Sequence, residues 1–182
     1  GSEMCIRDRN KLGDDFSANR VFVPEMLIAA RCMSAATELL KPYMVGEGGE
    51  SATVGSAVIG TVRGDMHDIG KNLVKIMMEG SGIEVYDLGT DVSAEQFVET
   101  AVEHDCGIIA CSSLLTTTMN EMRRVVSLAQ EKGIRKKVRI LIGGAPISQS
   151  FCDEIGADVY TEDAGAAARA AVEMLKTCQN GK

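Results

Sequence analysis

The chain has 182 residues, enough for one ordinary domain with a real core and a small appendage. A formal net charge of -7 and an isoelectric point near 4.9 exclude a nucleic-acid binder, which needs clustered lysine and arginine against phosphate. No stretch is apolar for long enough to cross a bilayer and the N-terminus lacks the order of a signal peptide, so the expectation is a cytoplasmic protein without a membrane partner.

Gly1-Ser2 has the look of a tag remnant, and residues 1–10 carry no periodicity that continues into the next segment; they are expected to be foreign or disordered. Within residues 11–44, Pro24 to Tyr43 repeats apolar residues on one helical face, with Pro24 in the first turn and Pro42 near the end, which predicts one amphipathic helix. Residues 45–51 are glycine-rich and polar and read as a linker. The remainder, 52–182, alternates strand-like and helix-like segments. Strands are expected at 56–62, 83–88, 107–112, 138–143 and 157–161. Helices are expected from Ile69 to Gly80, Ser93 to His104, Met119 to Lys132, Ser148 to Ile155 and Ala164 to Cys178, with Ser93 and Gln96 forming a capping box. Such alternation predicts an α/β fold with a five-stranded, parallel, doubly wound sheet of flavodoxin-like or Rossmann-like type. In the order 2-1-3-4-5, ligands bind beyond the strand ends where the order reverses, so the first and third strand-to-helix loops are the ones to inspect.

The first of these loops runs Gly64-Asp65-Met66-His67-Asp68-Ile69-Gly70. A histidine two residues after a carboxylate suits a metal ligand, one ring nitrogen on the metal and the other donating to Asp65; a histidine beside a helix-capping aspartate reads the same residues equally well. Gly64 and Gly70 allow turning and close approach. The third loop, Ser112 to Thr118, mixes hydroxyls with Leu114 and Leu115, as a half-buried ligand needs, although such clusters also cap helices. Gly143-Gly144 after the fourth strand leaves room at the sheet edge or makes a plain turn. The six cysteines form no C-x-x-C pair and read as buried reduced thiols. Met77, Met78, Met119 and Met122 read as packing residues, His104 as a helix end, and residues 132–139 as a solvated basic turn.

Together, D-x-H-x-x-G after the first strand, S-x-L with trailing threonines after the third, and G-G after the fourth resemble the corrinoid proteins of methylamine and quaternary-amine methyltransferase systems. They also resemble the cobalamin-binding module of cobalamin-dependent methionine synthase. The resemblance covers about residues 14 to 178 and implies a cobalamin-binding domain behind a truncated helical cap. It implies cobalamin or another cobamide as cofactor, with His67 replacing the cofactor's own base below cobalt, Asp65 hydrogen-bonded to His67, and Thr118 extending that relay. Gly64, Met66, Asp68, Ile69 and Gly70 would surround the ligand histidine. Ser112, Leu114 and Thr116 would line the pocket for the displaced nucleotide tail, with Gly143 and Gly144 beneath it and Asp163 and Ala164 at its end. Phe16 and Val23, from the cap, would shield the upper face.

The function implied is a methyl carrier and not a complete enzyme. It would be loaded by a substrate:corrinoid methyltransferase, unloaded by a methylcobamide:acceptor methyltransferase serving a thiol or tetrahydrofolate, and rescued by a reductive activase. The run Leu114 to Met119 is most similar to carriers for methylamines and betaines. A short cap helix with an apolar face would also favour self-association. A cobamide-dependent mutase subunit and a cobamide sensor share D-x-H-x-x-G. The mutases lack the FVPEML cap segment, and sensors are usually fused to a DNA-binding domain not seen in this chain.

Overall fold

The computed structural model describes residues 53–179, together with Ile28 and Cys32. The expected cap, with Phe16 and Val23, the linker and the first ten residues otherwise lie outside the described residues. From residue 53 the elements alternate as β1 (Gly55–Thr61), α1 (Ile69–Gly80), β2 (Ile83–Asp87), α2 (Ala94–Glu103), β3 (Ile108–Ser112), α3 (Met119–Glu131), β4 (Arg139–Gly143), α4 (Gln149–Ile155), β5 (Val159–Thr161) and α5 (Ala164–Gln179). All the strands are parallel and lie in the order β2-β1-β3-β4-β5. That is the order in which the switch point falls between β1 and β3. The expected elements are present with small shifts at their ends: Val62, for example, leaves β1 and makes an isolated parallel bridge to Val92.

Strands covered on both faces must be apolar at consecutive positions, because alternate side chains enter different cores. On one face Val58, Ile109, Ile140 and Ile142 pack with Phe97, Val98, Met122 and Val125 from α2 and α3. On the other face Ala57, Ile59, Ile108, Ala110 and Leu141 pack with Met78 of α1 and with Ala167, Ala168, Ala171 and Leu175 of α5. The small side chains of α5 let it lie close to the sheet. Ser93 and Gln96 close the predicted capping box on α2, and Ser148 caps α4 through the Phe151 N–H.

The residues assigned to packing behave accordingly. Met78 and Met122 are buried, and the thiols of Cys106, Cys111 and Cys152 are free and buried. His104 ends α2 and stacks on Tyr86 with ring centroids 4.0 Å apart. In the basic turn before β4, Arg135 and Arg139 are both paired with Asp158, which ties that turn to the start of β5. No helix among the described residues is long and apolar enough to cross a membrane.

Candidate functional site

Parallel strands end side by side, so the β1–α1 loop (residues 62–68) and the β3–α3 loop (113–118) converge at the switch point. Asp65 is the centre of the junction. It is completely buried and accepts five hydrogen bonds. Oδ1 receives the His67 backbone N–H at 3.0 Å and His67 Nδ1 at 2.7 Å. Oδ2 receives the Leu114 N–H at 2.6 Å, the Leu115 N–H at 3.3 Å and the Thr118 hydroxyl at 3.3 Å. Burial alone would raise its pKa, but the bonds from His67, Leu114 and Leu115 outweigh it and bring the carboxyl down from 3.8 to about 2. Asp65 is therefore ionised at neutral pH and can only accept. Nδ1 of His67 then carries the ring proton, and Nε2 keeps the lone pair a metal needs.

The His67 side chain is 54% exposed, whereas that of its carboxylate partner is wholly enclosed. Its backbone is held separately, since the buried Thr61 hydroxyl donates to the His67 carbonyl at 2.8 Å. Gly64 turns the chain at φ +81°, and its N–H donates to Asp91 Oδ1 at 2.7 Å.

Beside His67 a cavity of about 800 Å³ runs along the α1/α5 face of the sheet. That volume is within the usual range for small-molecule and cofactor sites. Met66, His67, Asp68, Ile69 and Gly70 line it from the β1–α1 corner, Ser112 and Leu114 from β3, Gly143 and Gly144 from β4, and Asp163 and Ala164 from the start of α5. Ile59, Ala110 and Leu141 contribute apolar wall from the strands, and Leu73 and Val74 from α1. A Cβ built on Gly70 would meet no protein atom within 4 Å, so nothing in the described protein requires the missing side chain there. The space is open to a ligand.

The structure adds particulars at three of the expected residues. Thr116 is exposed on the turn before α3 and is not among the residues lining the cavity, because the loop must turn there to bring Thr118 inward. Gly144 lines the cavity, yet the room it makes is taken by protein. At φ +139°, its added Cβ would lie 1.8 Å from the Ser113 carbonyl oxygen, so the glycine lets the β3 and β4 ends close on each other. The Asp163 carboxylate accepts the Ala166 N–H at 2.7 Å and caps α5.

Sequence reasoning also missed several supports. Ser113 is completely buried, 2.8 Å from Thr118; the alternation Ile108, Ala110, Ser112 on one face should have turned Ser113 toward the other. Lys71, buried beside the cavity, pairs with Asp87 at 2.6 Å. A cation just after Gly70 and an acid closing a strand were the available signals. Asp91 had no local signal.

A parallel sheet with one carboxylate-oriented imidazole at its switch point, beside a mostly apolar cavity, defines a cofactor-binding α/β module. Among the described residues no cluster of three or more His, Cys, Asp or Glu could hold a metal ion. Residues 55–173 match the B12 binding domain model, and the chain belongs to that family and binds a corrinoid cofactor. It is 44% identical over 166 residues to dimethylamine corrinoid protein 1 of Methanosarcina acetivorans, covering 91% of this chain and 78% of the relative. The structure of the Methanosarcina barkeri monomethylamine corrinoid protein matches with a TM-score of 0.64 and 35% identity, over 91% of this chain and 77% of that one. The methanol:cobalamin methyltransferase complex MtaBC of Methanosarcina barkeri matches with a TM-score of 0.85 and 27% identity, over 96% and 66%.

Proposed function

We propose that the chain is a methyl carrier that holds a cobamide with His67 as the lower ligand of cobalt and moves a methyl group between two methyltransferases. The observation that carries this reading is the 2.7 Å bond from His67 Nδ1 to a buried, ionised Asp65, which leaves Nε2 unprotonated on a residue that lines the cavity. When bound, the cobamide supplies a cobalt centre that accepts a methyl group in its lowest oxidation state and gives it up to an acceptor.

The chain's own residues do the positioning. Asp65 fixes the tautomer and direction of His67, and the Thr118 hydroxyl with the Leu114 and Leu115 amides fixes Asp65. Met66 and Ile69 are 70% and 82% exposed next to the ligand histidine, and Leu114 and Leu115 are also exposed across the junction. Apolar side chains left uncovered around one ligand make a platform for a flat macrocycle. The nucleotide tail, displaced by His67, would enter the cavity past Ser112, Leu114 and Gly143 toward Asp163 and Ala164. Phe16 and Val23, outside the described residues, are assigned to the upper face.

The donor class is methylated amines, on the strength of the Leu114 to Met119 run and of relatives named for dimethylamine and monomethylamine. The partners are a substrate:corrinoid methyltransferase, a second methyltransferase for a thiol or tetrahydrofolate acceptor, and a reductive activase, all in the cytoplasm. Self-association through residues 24–43 belongs to the same proposal.

The test is electron paramagnetic resonance on protein labelled with nitrogen-15 only at histidine and loaded with unlabelled cobalamin in the middle cobalt oxidation state. His67 ligation turns the nitrogen triplets into doublets, and His67→Ala abolishes the doublets. Triplets in the labelled, unmutated protein would refute the assignment.

A further inference from the structure

We infer that Ser113 is a positioning residue: it donates its proton to Thr118 and thereby commits the Thr118 hydroxyl to Asp65. The inference rests on His67 as the lower ligand and extends the chain of groups behind it by one member. Ser113 Oγ lies 2.8 Å from Thr118 Oγ1 and 3.2 Å from the Leu115 carbonyl oxygen. Thr118 Oγ1 has its own choice of acceptors, Asp65 Oδ2 at 3.3 Å and the same Leu115 carbonyl at 3.0 Å.

Each hydroxyl has one proton to give, and the ionised carboxylate and the carbonyl have none. Three arrangements give the 2.8 Å contact a proton. In the first, Ser113 donates to Thr118 and Thr118 donates to Asp65, so the protons point one way along the chain Ser113, Thr118, Asp65. In the second, Ser113 donates to the Leu115 carbonyl, Thr118 must donate to Ser113, and Asp65 Oδ2 keeps only two backbone N–H groups. The third, Ser113 to Thr118 and Thr118 to the Leu115 carbonyl, leaves Asp65 Oδ2 with only its backbone N–H groups, as the second does. A bond to a charged acceptor is about twice as strong as one between neutral groups, and each bond in a chain polarises the next. The first arrangement wins, and in it the 2.8 Å contact can only have Ser113 as donor.

Without Ser113 that polarisation is lost, and the nearer Leu115 carbonyl competes for the Thr118 proton. Asp65 becomes more basic, pulls harder on the Nδ1 proton and makes Nε2 a stronger donor to cobalt. The Ser113 backbone does not depend on its side chain, because its N–H donates to the Gly143 carbonyl at 3.1 Å and its own carbonyl packs against Gly144. Removing Oγ therefore leaves the loop where it is.

The experiment compares wild type, Ser113→Ala, Thr118→Val and the double variant, each loaded with cobalamin. The readouts are the potential of the step from the middle to the lowest cobalt oxidation state and the histidine-labelled resonance spectrum. Ser113→Ala should move the potential negative, changing the reduced-to-oxidised ratio at a fixed potential by up to roughly tenfold, the equivalent of one neutral hydrogen bond. Thr118→Val should move it at least as far, and the double variant no further than Thr118→Val. A Ser113→Ala potential equal to wild type, or a double variant showing the sum of the single shifts, would overturn the inference, because a residue acting through Thr118 has no effect once the Thr118 hydroxyl is gone. Triplets in the labelled wild type would remove the ligation reading and this inference together. Doublets with an unmoved potential would remove this inference alone.

Discussion

Asp65→Asn exchanges one acceptor oxygen for an NH2 group, and the geometry allows only one orientation. An NH2 in the Oδ2 position would face the N–H groups of Leu114 at 2.6 Å and Leu115 at 3.3 Å, which are fixed in the backbone. In the Oδ1 position it faces the His67 N–H at 3.0 Å and Nδ1 at 2.7 Å. The ring can respond by moving its proton to Nε2 and accepting at Nδ1, which would block the nitrogen proposed to meet cobalt. The backbone N–H of His67 cannot respond. A buried donor left without an acceptor costs about 1–3 kcal/mol, and the bonds from the 114 and 115 amides lose their charge assistance. The cofactor-free variant should lose about 2–4 kcal/mol of stability at neutral pH. Acid adds a second signature. The folded-state pKa of Asp65, about 2, lies below its ordinary 3.8, so its stabilisation is present above about pH 4 and is lost as the pH falls toward 2. The shift corresponds to about 2 kcal/mol. Asparagine has no such titration, so the gap between the two proteins should narrow through that window. Urea unfolding at stepped pH measures the gap, and nitrogen NMR of labelled histidine identifies the tautomer. Coincident unfolding midpoints at neutral pH, or an Nδ1-protonated His67 in the variant, would refute the reasoning.

Three further outcomes can be checked with the same instruments. Lys71→Met should lower stability by about 2 kcal/mol, less than the 3–5 kcal/mol for breaking a fully buried pair, because Asp87 keeps Lys75 at 3.2 Å and the Gly89 N–H at 2.9 Å; an unchanged urea midpoint would contradict this. Gly70→Ala should stabilise the cofactor-free protein by about 0.5–1 kcal/mol through helix propensity, while weakening corrinoid binding by roughly five- to a hundredfold through crowding in the cavity. Titration with cobalamin checks the second half, and undiminished affinity would mean that the open space at Gly70 is not where the cofactor lies. Gly144→Ala should be the most damaging glycine change, about 4 kcal/mol or more, since its Cβ would collide with the Ser113 carbonyl; a thermal melt close to wild type would disprove it.

Much of the fold was legible because its signals are local. Five apolar segments alternating with amphipathic ones specify a parallel sheet, and Ser93 with Gln96 marks the start of α2 to the residue. The spacing of Asp65 and His67 announced their hydrogen bond because two residues of one loop need no tertiary context to meet. What could not be read depends on chain reversals far apart in sequence. Leu114 and Leu115 looked like apolar cover, but their amides hold Asp65 from 49 and 50 residues away. Gly144 looked like room for a ligand, and its space belongs to Ser113. The Lys71–Asp87 pair spans a helix and a strand, so neither residue by itself indicated the other. A hydroxyl-rich loop does not reveal which hydroxyls face inward until its turn is known: Thr118 is buried and Thr116 exposed.

A methyl carrier has to let its lower ligand bind and leave without losing the geometry to bind again, and the site divides those demands between two residues. Asp65 has no freedom: its carboxylate is enclosed and fixed from three backbone amides, one hydroxyl and one imidazole. His67 is tied through Nδ1 and its main chain, while its ring is half exposed. With His67 as the proposed ligand, the bond to Asp65 would still hold the ring within a small arc when Nε2 is free, so that binding again would need no search over rotamers. The expensive part of the site, the buried charge, is satisfied entirely within the protein. If His67 ligates cobalt as proposed, the strength of that bond would be set from behind by Asp65, Thr118 and Ser113. On that proposal, groups that never touch the metal would tune it, and substitutions there should change the redox behaviour more than the affinity for the cofactor.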